Sequence, residues 1–204
     1  MTRAASREPF PLVELTRATV EPGGRWHGFV VAESPALVAI HHISERFDFD
    51  GYRVFPRDTI TRMTRRFDAR ALIVTALRLK RLAPAAPRAL DLTSVRALVA
   101  SIDAAYPLVV IHRERISPDE CEIGRLRLHT DETYVLDWMT PQATWELDQR
   151  RFRFADVTRV DFDSGYENTL AMVAAARGQA LPPRRARPQK VPRRRPAKDP
   201  GPTG

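Results

Sequence analysis

The stretch Pro107–Gly124, PLVVIHRERISPDECEIG, decides the fold, because an earlier part of the chain carries a related copy of it. The range Pro11–Gly28 reads PLVELTRATVEPGGRWHG, and the two ranges align without a gap at an offset of 96 residues. Six of the eighteen aligned positions are identical, whereas about one identity is expected by chance. The sequence therefore predicts an internal duplication, with one copy in each half of the chain. The identical pairs are Pro11/Pro107, Leu12/Leu108, Val13/Val109, Arg17/Arg113, Pro22/Pro118 and Gly28/Gly124.

Short apolar and β-branched runs, separated by turn residues, predict strands in both halves. In the first half they cover 12–20, 26–32, 36–43 and 59–63, with one further segment, FDFDGYRVF at 47–55, whose Asp50-Gly51 dipeptide is typical of hairpin turns. In the second half they cover 108–112, 123–130, 133–139, 145–154 and 157–162. Five short strands within about 50 residues favour a small barrel, since closure of the sheet removes its exposed edges.

Three segments have helical features. The range 67–82 places apolar residues at helical spacing, with a buried strand as the alternative. The range 91–105 carries one apolar stripe behind a capping residue. The tetrapeptide Ser164–Glu167 has the form of a capping box, and it predicts a helix that runs through Ala176 and ends at Gly178.

The first half resembles the Sm-like small β-barrel family in four features. They are a strand that ends at a turn, a glycine that opens the next strand, the Asp-Gly-Tyr-x-x-Phe segment at Asp50–Phe55, and Asp58 before a short closing strand. The helix at 91–105 is similar to the N-terminal helix of that fold. The chain as a whole also resembles bacterial proteins that carry two such barrels. The resemblance implies a mainly β chain with helices (α+β): two tandem five-stranded barrels, each followed by a helix.

We therefore expect four parts along the chain. They are a first barrel with its C-terminal helix at 11–82, a linker at 83–90, a second barrel with flanking helices at 91–178, and a disordered tail at 182–204. The tail contains seven prolines and almost no apolar residues, so it cannot offset the entropy cost of ordering.

Sm-like proteins commonly bind RNA through an Arg/Lys-Gly-Asn-type stretch before the final strand, so the resemblance implies RNA binding. The matching turns in this chain, Pro56-Arg57-Asp58 and Phe154-Ala155-Asp156, do not contain that triplet. Other basic residues of the sequence are therefore the candidates for contact with nucleic acid.

The positive charge is concentrated in the tail. The formal net charge is +8, of which +7 belongs to residues 182–204 and only +1 to the rest of the chain. Basic clusters between prolines predict salt-sensitive contacts with nucleic acid or with an acidic protein, and a merely solubilising extension is the alternative. The arginines of these clusters are Arg184, Arg185, Arg187, Arg193, Arg194 and Arg195.

A second basic surface is predicted on the outer face of the second barrel. Strand alternation places Arg125, Arg127 and His129 outward on one strand, and Arg151 and Arg153 outward on another. Neighbouring strands lie about 5 Å apart, so these side chains predict one cationic surface for phosphates. An ordinary solvated face, neutralised by nearby carboxylates, is the alternative interpretation.

Catalytic signals are weak in this sequence. The histidines have no metal-ligand spacing, and the nucleophile, phosphate-loop and dinucleotide motifs are missing, so we expect no enzyme, no cofactor and no metal site. Cys121 is the only cysteine, which excludes an intramolecular disulfide and suits a cytoplasmic location. No apolar stretch approaches the length of a membrane span, so we expect no membrane contact.

These features predict a non-enzymatic binding or adaptor protein. The leading hypothesis is contact with RNA or DNA through the second barrel and the tail. The alternative is a protein-interaction module that holds an acidic or peptide partner in the groove between the barrels. The sequence leaves the oligomeric state open.

Overall fold

A computed structural model describes residues 10–147, 150–179 and 182, and within these ranges the chain forms one antiparallel sheet of eleven strands and three α-helices. The first half contains β1 (Leu12–Arg17), β2 (Glu21–Glu33), β3 (Leu37–Ile43), β4 (Phe49–Pro56), β5 (Arg62–Thr64) and α1 (Arg70–Leu79). The second half contains α2 (Val95–Ala105), β6 (Val109–His112), β7 (Cys121–His129), β8 (Thr133–Met139), β9 (Trp145–Leu147), β10 (Phe152–Arg153), β11 (Arg159–Phe162) and α3 (Gly165–Ala176).

The two halves have the same order of strands, and they follow one another across the sheet in the same direction. The first half follows β5-β1-β2-β3-β4, and the second follows β11-β6-β7-β8, with β9 and β10 both paired to β8. The last strand of the second half, β11, pairs with β4 of the first half, as Val160 opposite Val54 shows. The sheet is therefore continuous across the chain.

The prediction of two closed five-stranded barrels is wrong. Closure of the first half would require β4 to pair with β5, but the described partners of β4 are β3 and β11. Closure of the second half would require β11 to pair with β9 or β10, but β11 lies between β4 and β6. The hydrogen bonds that would close each barrel instead join the two halves into one open sheet.

The two halves pair their strands in equivalent registers. Gly28 lies opposite Val13 and His42, while Gly124 lies opposite Val109 and Trp138. A β-bulge interrupts β2 between Val30 and Ala32, and another interrupts β7 between Leu126 and Leu128. In both halves a single 3-10 turn, at 57–59 and at 154–156, precedes the last strand.

Helices α1 and α3 occupy matching places on the two halves. Ile73 and Leu77 of α1 pack on Leu12, Phe29 and Ile43. The corresponding residues of α3, Leu170 and Ala174, pack on Leu108, Met139 and Ala143. Helix α2 contributes Leu98, Val99 and Ile102 to the largest core cluster, which joins strands of both halves. In the described part of the chain, no helix is long and apolar enough to span a bilayer.

The Asp50-Gly51 dipeptide does not form the predicted hairpin turn. Both residues lie inside β4, and the chain turns earlier, where the Ser44 backbone N–H donates to the Asp48 carbonyl at 2.9 Å. Gly51 has φ of +67°, and a Cβ there would lie 2.5 Å from the Phe162 carbonyl oxygen. The Asp50 carboxylate accepts a hydrogen bond from the Gly165 N–H at 3.0 Å, at the start of α3. The dipeptide thus forms part of the contact between the two halves.

Candidate nucleic-acid interface

Two arginines of the predicted basic face are not directed freely into water. Arg125 is 6% exposed, and its Nε lies 3.5 Å from Oδ1 of Asp103. Nε of Arg127 lies 3.4 Å from Oδ1 of Asp137. The expectation that both would face solvent is therefore corrected: carboxylates on α2 and β8 already compensate these charges. A β-bulge between Leu126 and Leu128 interrupts the alternation at Arg127, and the tertiary fold brings Asp103 of α2 to Arg125.

The remaining described members of that prediction lie near one end of the sheet. Arg151 and Arg153 are exposed, and His129 is half-buried. Arg151 donates from Nη1 to Oγ1 of Thr133 at 3.3 Å, and β10 pairs Arg153 with the same threonine. The six tail arginines (184, 185, 187, 193, 194 and 195) fall outside the described residues. The role of all these residues in binding stays a prediction.

A buried ion network joins the halves where β11 meets β4. The Arg17 side chain is fully buried; its Nη1 donates to Oε1 of Glu114 at 3.0 Å and its Nη2 to the Thr158 carbonyl at 2.8 Å. Nη1 of Arg159 lies 2.9 Å from the same Glu114 oxygen. Burial opposes ionisation of Glu114, but the hydrogen bond from Arg17 and the charge of Arg159 hold its pKa below the ordinary value.

Asp161 is the second anion of this network. Its Oδ2 lies 3.3 Å from Nε of Arg53, 3.2 Å from Nε of Arg159 and 2.9 Å from Nε2 of His112. Burial opposes its ionisation, but the charges of Arg53 and Arg159 outweigh burial and lower its pKa to about 2. Every charge named here has an opposite charge beside it, so this network is an internal ion-pair cluster that connects the halves.

A cleft of about 470 Å³ lies between the halves beside this network. Its lining includes the carboxylates of Glu21, Asp119 and Glu120, together with Glu114, whose charge is compensated by Arg17 and Arg159. Such a lining repels anions, so it does not favour the acidic partner expected for the groove between the halves.

Cys121 also lines this cleft, but its environment opposes thiolate formation. Burial, followed by the charge of Asp161, raises the pKa of the Cys121 thiol. A thiol with a raised pKa is a weak nucleophile at neutral pH. Within the described ranges, no three metal-ligating side chains lie close enough together to hold an ion.

A different group of arginines lies at the free edge formed by β5. Arg62, Arg65 and Arg66 are exposed, and in the described part of the chain none of the three forms an ion pair. Thr16 of β1 pairs with Arg62 on one side and with Arg25 of β2 on the other. These two arginines therefore lie on the same face, two strand spacings or about 10 Å apart. The Arg25 side chain is 68% exposed and lies 3.4 Å from Glu14. We call these four residues the arginine row.

The sequence contains a signal for the arginine row that net charge conceals. Residues 61–82 hold seven basic residues and one acidic residue, Asp68. Averaged over residues 1–181, this excess is hidden by acidic residues elsewhere. A windowed charge count would have found the run, but the contribution of Arg25 depends on strand pairing.

A second cleft, of about 520 Å³, opens beside the arginine row. Arg25 and two carboxylates, Glu21 and Glu45, line it, and the aromatic side chains around it are Trp26, His27, His42 and Phe47. Nε1 of Trp26 donates to Oε2 of Glu21 at 2.8 Å, which fixes the indole. Burial, and then the charge of Arg53, lowers the pKa of His42 to about 4, so its imidazole is neutral at pH 7.

Comparisons with known proteins identified no relative of this chain. No family model matches the chain, and searches of curated proteins and of solved structures found no similar protein. The chain's own geometry is therefore the basis for a functional assignment.

Proposed function

We propose that the protein is a non-catalytic nucleic-acid-binding module whose main phosphate contacts come from the arginine row, Arg25, Arg62, Arg65 and Arg66. The observation that carries this proposal is the exposure of Arg62, Arg65 and Arg66 without ion-pair partners among the described residues. Unpaired guanidinium groups keep their full attraction for phosphate and bind it with two parallel hydrogen bonds.

The comparison with other arginines of the chain supports this choice of surface. Arg115 is exposed, and Arg57 and Arg96 are half-buried. Ion pairs hold all three: Arg57 lies 2.5 Å from Glu33, Arg96 3.4 Å from Asp131 and Arg115 3.3 Å from Asp58. Such pairs must be broken or shared before phosphate can bind. Arg25 of the arginine row bears the same cost through Glu14, whereas Arg62 on β5, and Arg65 and Arg66 just after it, do not.

The experiment compares two triple variants with equal loss of charge. Arg62, Arg65 and Arg66 are changed to Gln in one, and the paired Arg57, Arg96 and Arg115 in the other. Binding of a labelled 12-nucleotide poly(dT) and of a 12-bp duplex is measured by anisotropy between 50 and 200 mM salt. Each variant is prepared as the full chain and as a chain ending at residue 182, so that binding by the tail is measured separately.

We expect the first variant to bind both nucleic acids at least tenfold more weakly. Each lost contact should also reduce the slope of log K against log salt by about 0.7 for the single strand and about 0.9 for the duplex. The control variant should keep most of its affinity. Equal losses of affinity in both variants would show that binding depends on net charge alone, and they would overturn the proposal.

A second readout tests the structural alternative, in which the arginines only protect the free edge of β5 against pairing with another chain. Sedimentation of the first triple variant would then show association, while its affinity for nucleic acid would equal that of the unchanged protein. That combination also contradicts the proposal.

We also propose that the two halves are diverged copies built on an Sm-like strand plan. The equal strand order, the matched β-bulges and the matched places of α1 and α3 support this proposal. Gly28 and Gly124 support it too, because a Cβ at either position would crowd the next strand. The Cβ would lie 2.7 Å from the His41 carbonyl oxygen at Gly28 and 2.1 Å from the Asp137 carbonyl oxygen at Gly124.

A further inference from the structure

The second cleft and the arginine row share Arg25, which lines the cleft, is 68% exposed and lies two strands from Arg62. A nucleic-acid strand held along the row therefore passes the opening of the cleft. The cleft is therefore placed to accept a part of that strand other than its phosphates.

Because Glu21 and Glu45 line the cleft beside Arg25, its lining suits an uncharged, flat, partly apolar group and not a phosphate. Trp26 and Phe47 provide aromatic walls, and Ile43 and Ile73 contribute apolar surface. A volume of about 520 Å³ lies in the range of small-molecule sites and exceeds the size of one nucleobase. Bases unstacked from a single strand are commonly held by aromatic side chains.

His42 supplies a hydrogen-bonding group of defined polarity. Its Nδ1 lies 3.2 Å from the His27 carbonyl oxygen, which can only accept, so Nδ1 carries the proton. The neutral ring then has Nε2 as an acceptor. An acceptor of this kind can pair with an N–H group on a base edge.

Phe47 is held in a strained backbone conformation at this cleft. Its φ is +58°, a left-handed value that bulky residues rarely adopt. The Phe47 N–H donates to the Ser44 carbonyl at 2.9 Å, which maintains the tight turn. The second half has the same turn, with Ala143 at φ of +56° and its N–H donating to the Thr140 carbonyl at 2.9 Å. The turn thus fixes where the side chain at this position lies, and in the first half that side chain is a phenyl ring.

We propose that this cleft accepts one unstacked base of a single-stranded nucleic acid whose phosphates lie along the arginine row. This inference rests on the proposed function and adds to it the class of ligand, a single strand with at least one accessible base.

The first test uses the unchanged full-length protein. A labelled 12-nucleotide poly(dT) is compared by anisotropy with an oligonucleotide of the same length whose central bases are abasic sites. Both carry the same phosphates, so the difference measures base contacts. We expect the abasic oligonucleotide to bind about tenfold more weakly, the usual value of one stacked base.

The second test uses Phe47→Gly, which removes the ring while relieving the strained φ, so the turn should keep its conformation. We expect this variant to bind poly(dT) and the abasic oligonucleotide equally, and to bind a 12-bp duplex as the unchanged protein does. Ala89→Gly, at another positive φ of 46° and away from the cleft, is the control for relief of strain. Circular dichroism confirms that both variants fold.

The outcomes separate this inference from the proposed function. Equal binding of poly(dT) and its abasic analogue by the unchanged protein would overturn the base site and leave the arginine row in place. A Phe47→Gly variant that still discriminates between them would also overturn it. Failure of the unchanged protein to bind any oligonucleotide at 50 mM salt would instead remove the proposed function, and the base site with it.

Discussion

At the scale of single residues, Asp50-Gly51 shows what a dipeptide can and cannot specify. Its sequence correctly indicates a residue with positive φ, because glycine adopts that conformation without steric cost. It does not reveal whether the positive φ makes a hairpin turn or a close approach between strands. Here Phe162, more than a hundred residues away, decides between the two.

We predict that Gly51→Ala is much more destabilising than Gly23→Ala. Both glycines have positive φ, at +67° and +82°, but a Cβ at Gly23 meets no atom within 4 Å. The Gly23 variant should therefore lose only the conformational term, about 1 kcal/mol, and the Gly51 variant more than about 2 kcal/mol, because β4 and β11 must separate. Urea unfolding measures both, and equal losses would contradict a close approach at Gly51.

At the scale of elements, β5 and β11 hold the same place in their halves but have different neighbours. Both pair with the first strand of their half, β1 and β6, in matching registers. β11 is covered on its other side by β4, and its residues Arg159 and Asp161 belong to the buried network. β5 has no second neighbour among the described strands, and its one arginine, Arg62, is exposed. Position in the sheet therefore decides whether an arginine is structural or available.

We predict that Asp161→Asn destabilises the protein by about 3–5 kcal/mol at neutral pH, because Arg53 and Arg159 lose a buried counter-charge. The control is Asp119→Asn, an exposed carboxylate of the nearby cleft, which should have little effect. Chemical unfolding at pH 7 measures both. Equal stabilities of the two variants would contradict a structural role for the network.

The same pair of proteins, unchanged and Asp161→Asn, gives a pH prediction. The pKa of Asp161 falls from 3.8 to about 2 on folding, so its ionised form stabilises the protein above pH 3.8 and this contribution is lost as the pH falls toward 2. The stability difference between the two proteins should therefore shrink between pH 5 and pH 2. A difference that stays constant over this range would show that charge at Asp161 is not what stabilises the junction.

At the scale of the whole molecule, the core does not divide between the halves. The largest apolar cluster contains Leu37, Tyr52 and Val54 of the first half together with Ile102 and Phe162 of the second. The ion network also draws its members from both sides of the junction. The chain is therefore expected to fold as one cooperative unit.

We predict that fragments covering residues 10–82 and 91–182 do not fold alone. Separation exposes the edges of β4 and β11 and leaves Arg17 and Arg53 without Glu114 and Asp161. Circular dichroism and thermal melting test each fragment, and a mixture of the two should recover the transition of the full chain. A cooperative melt of either fragment by itself would contradict this prediction.

The amino-acid sequence by itself determined the local features: the places of most strands, the three helical segments, and the aligned copies at 11–28 and 107–124. These follow from hydrophobic period and backbone preference, which act over a few residues. Only the tertiary structure decided that β11 pairs with β4, that Arg125 is compensated by Asp103, and that Arg25 joins Arg62. The reason is physical: strand edges and charges choose partners by distance in space, and residues far apart in the chain supply those partners.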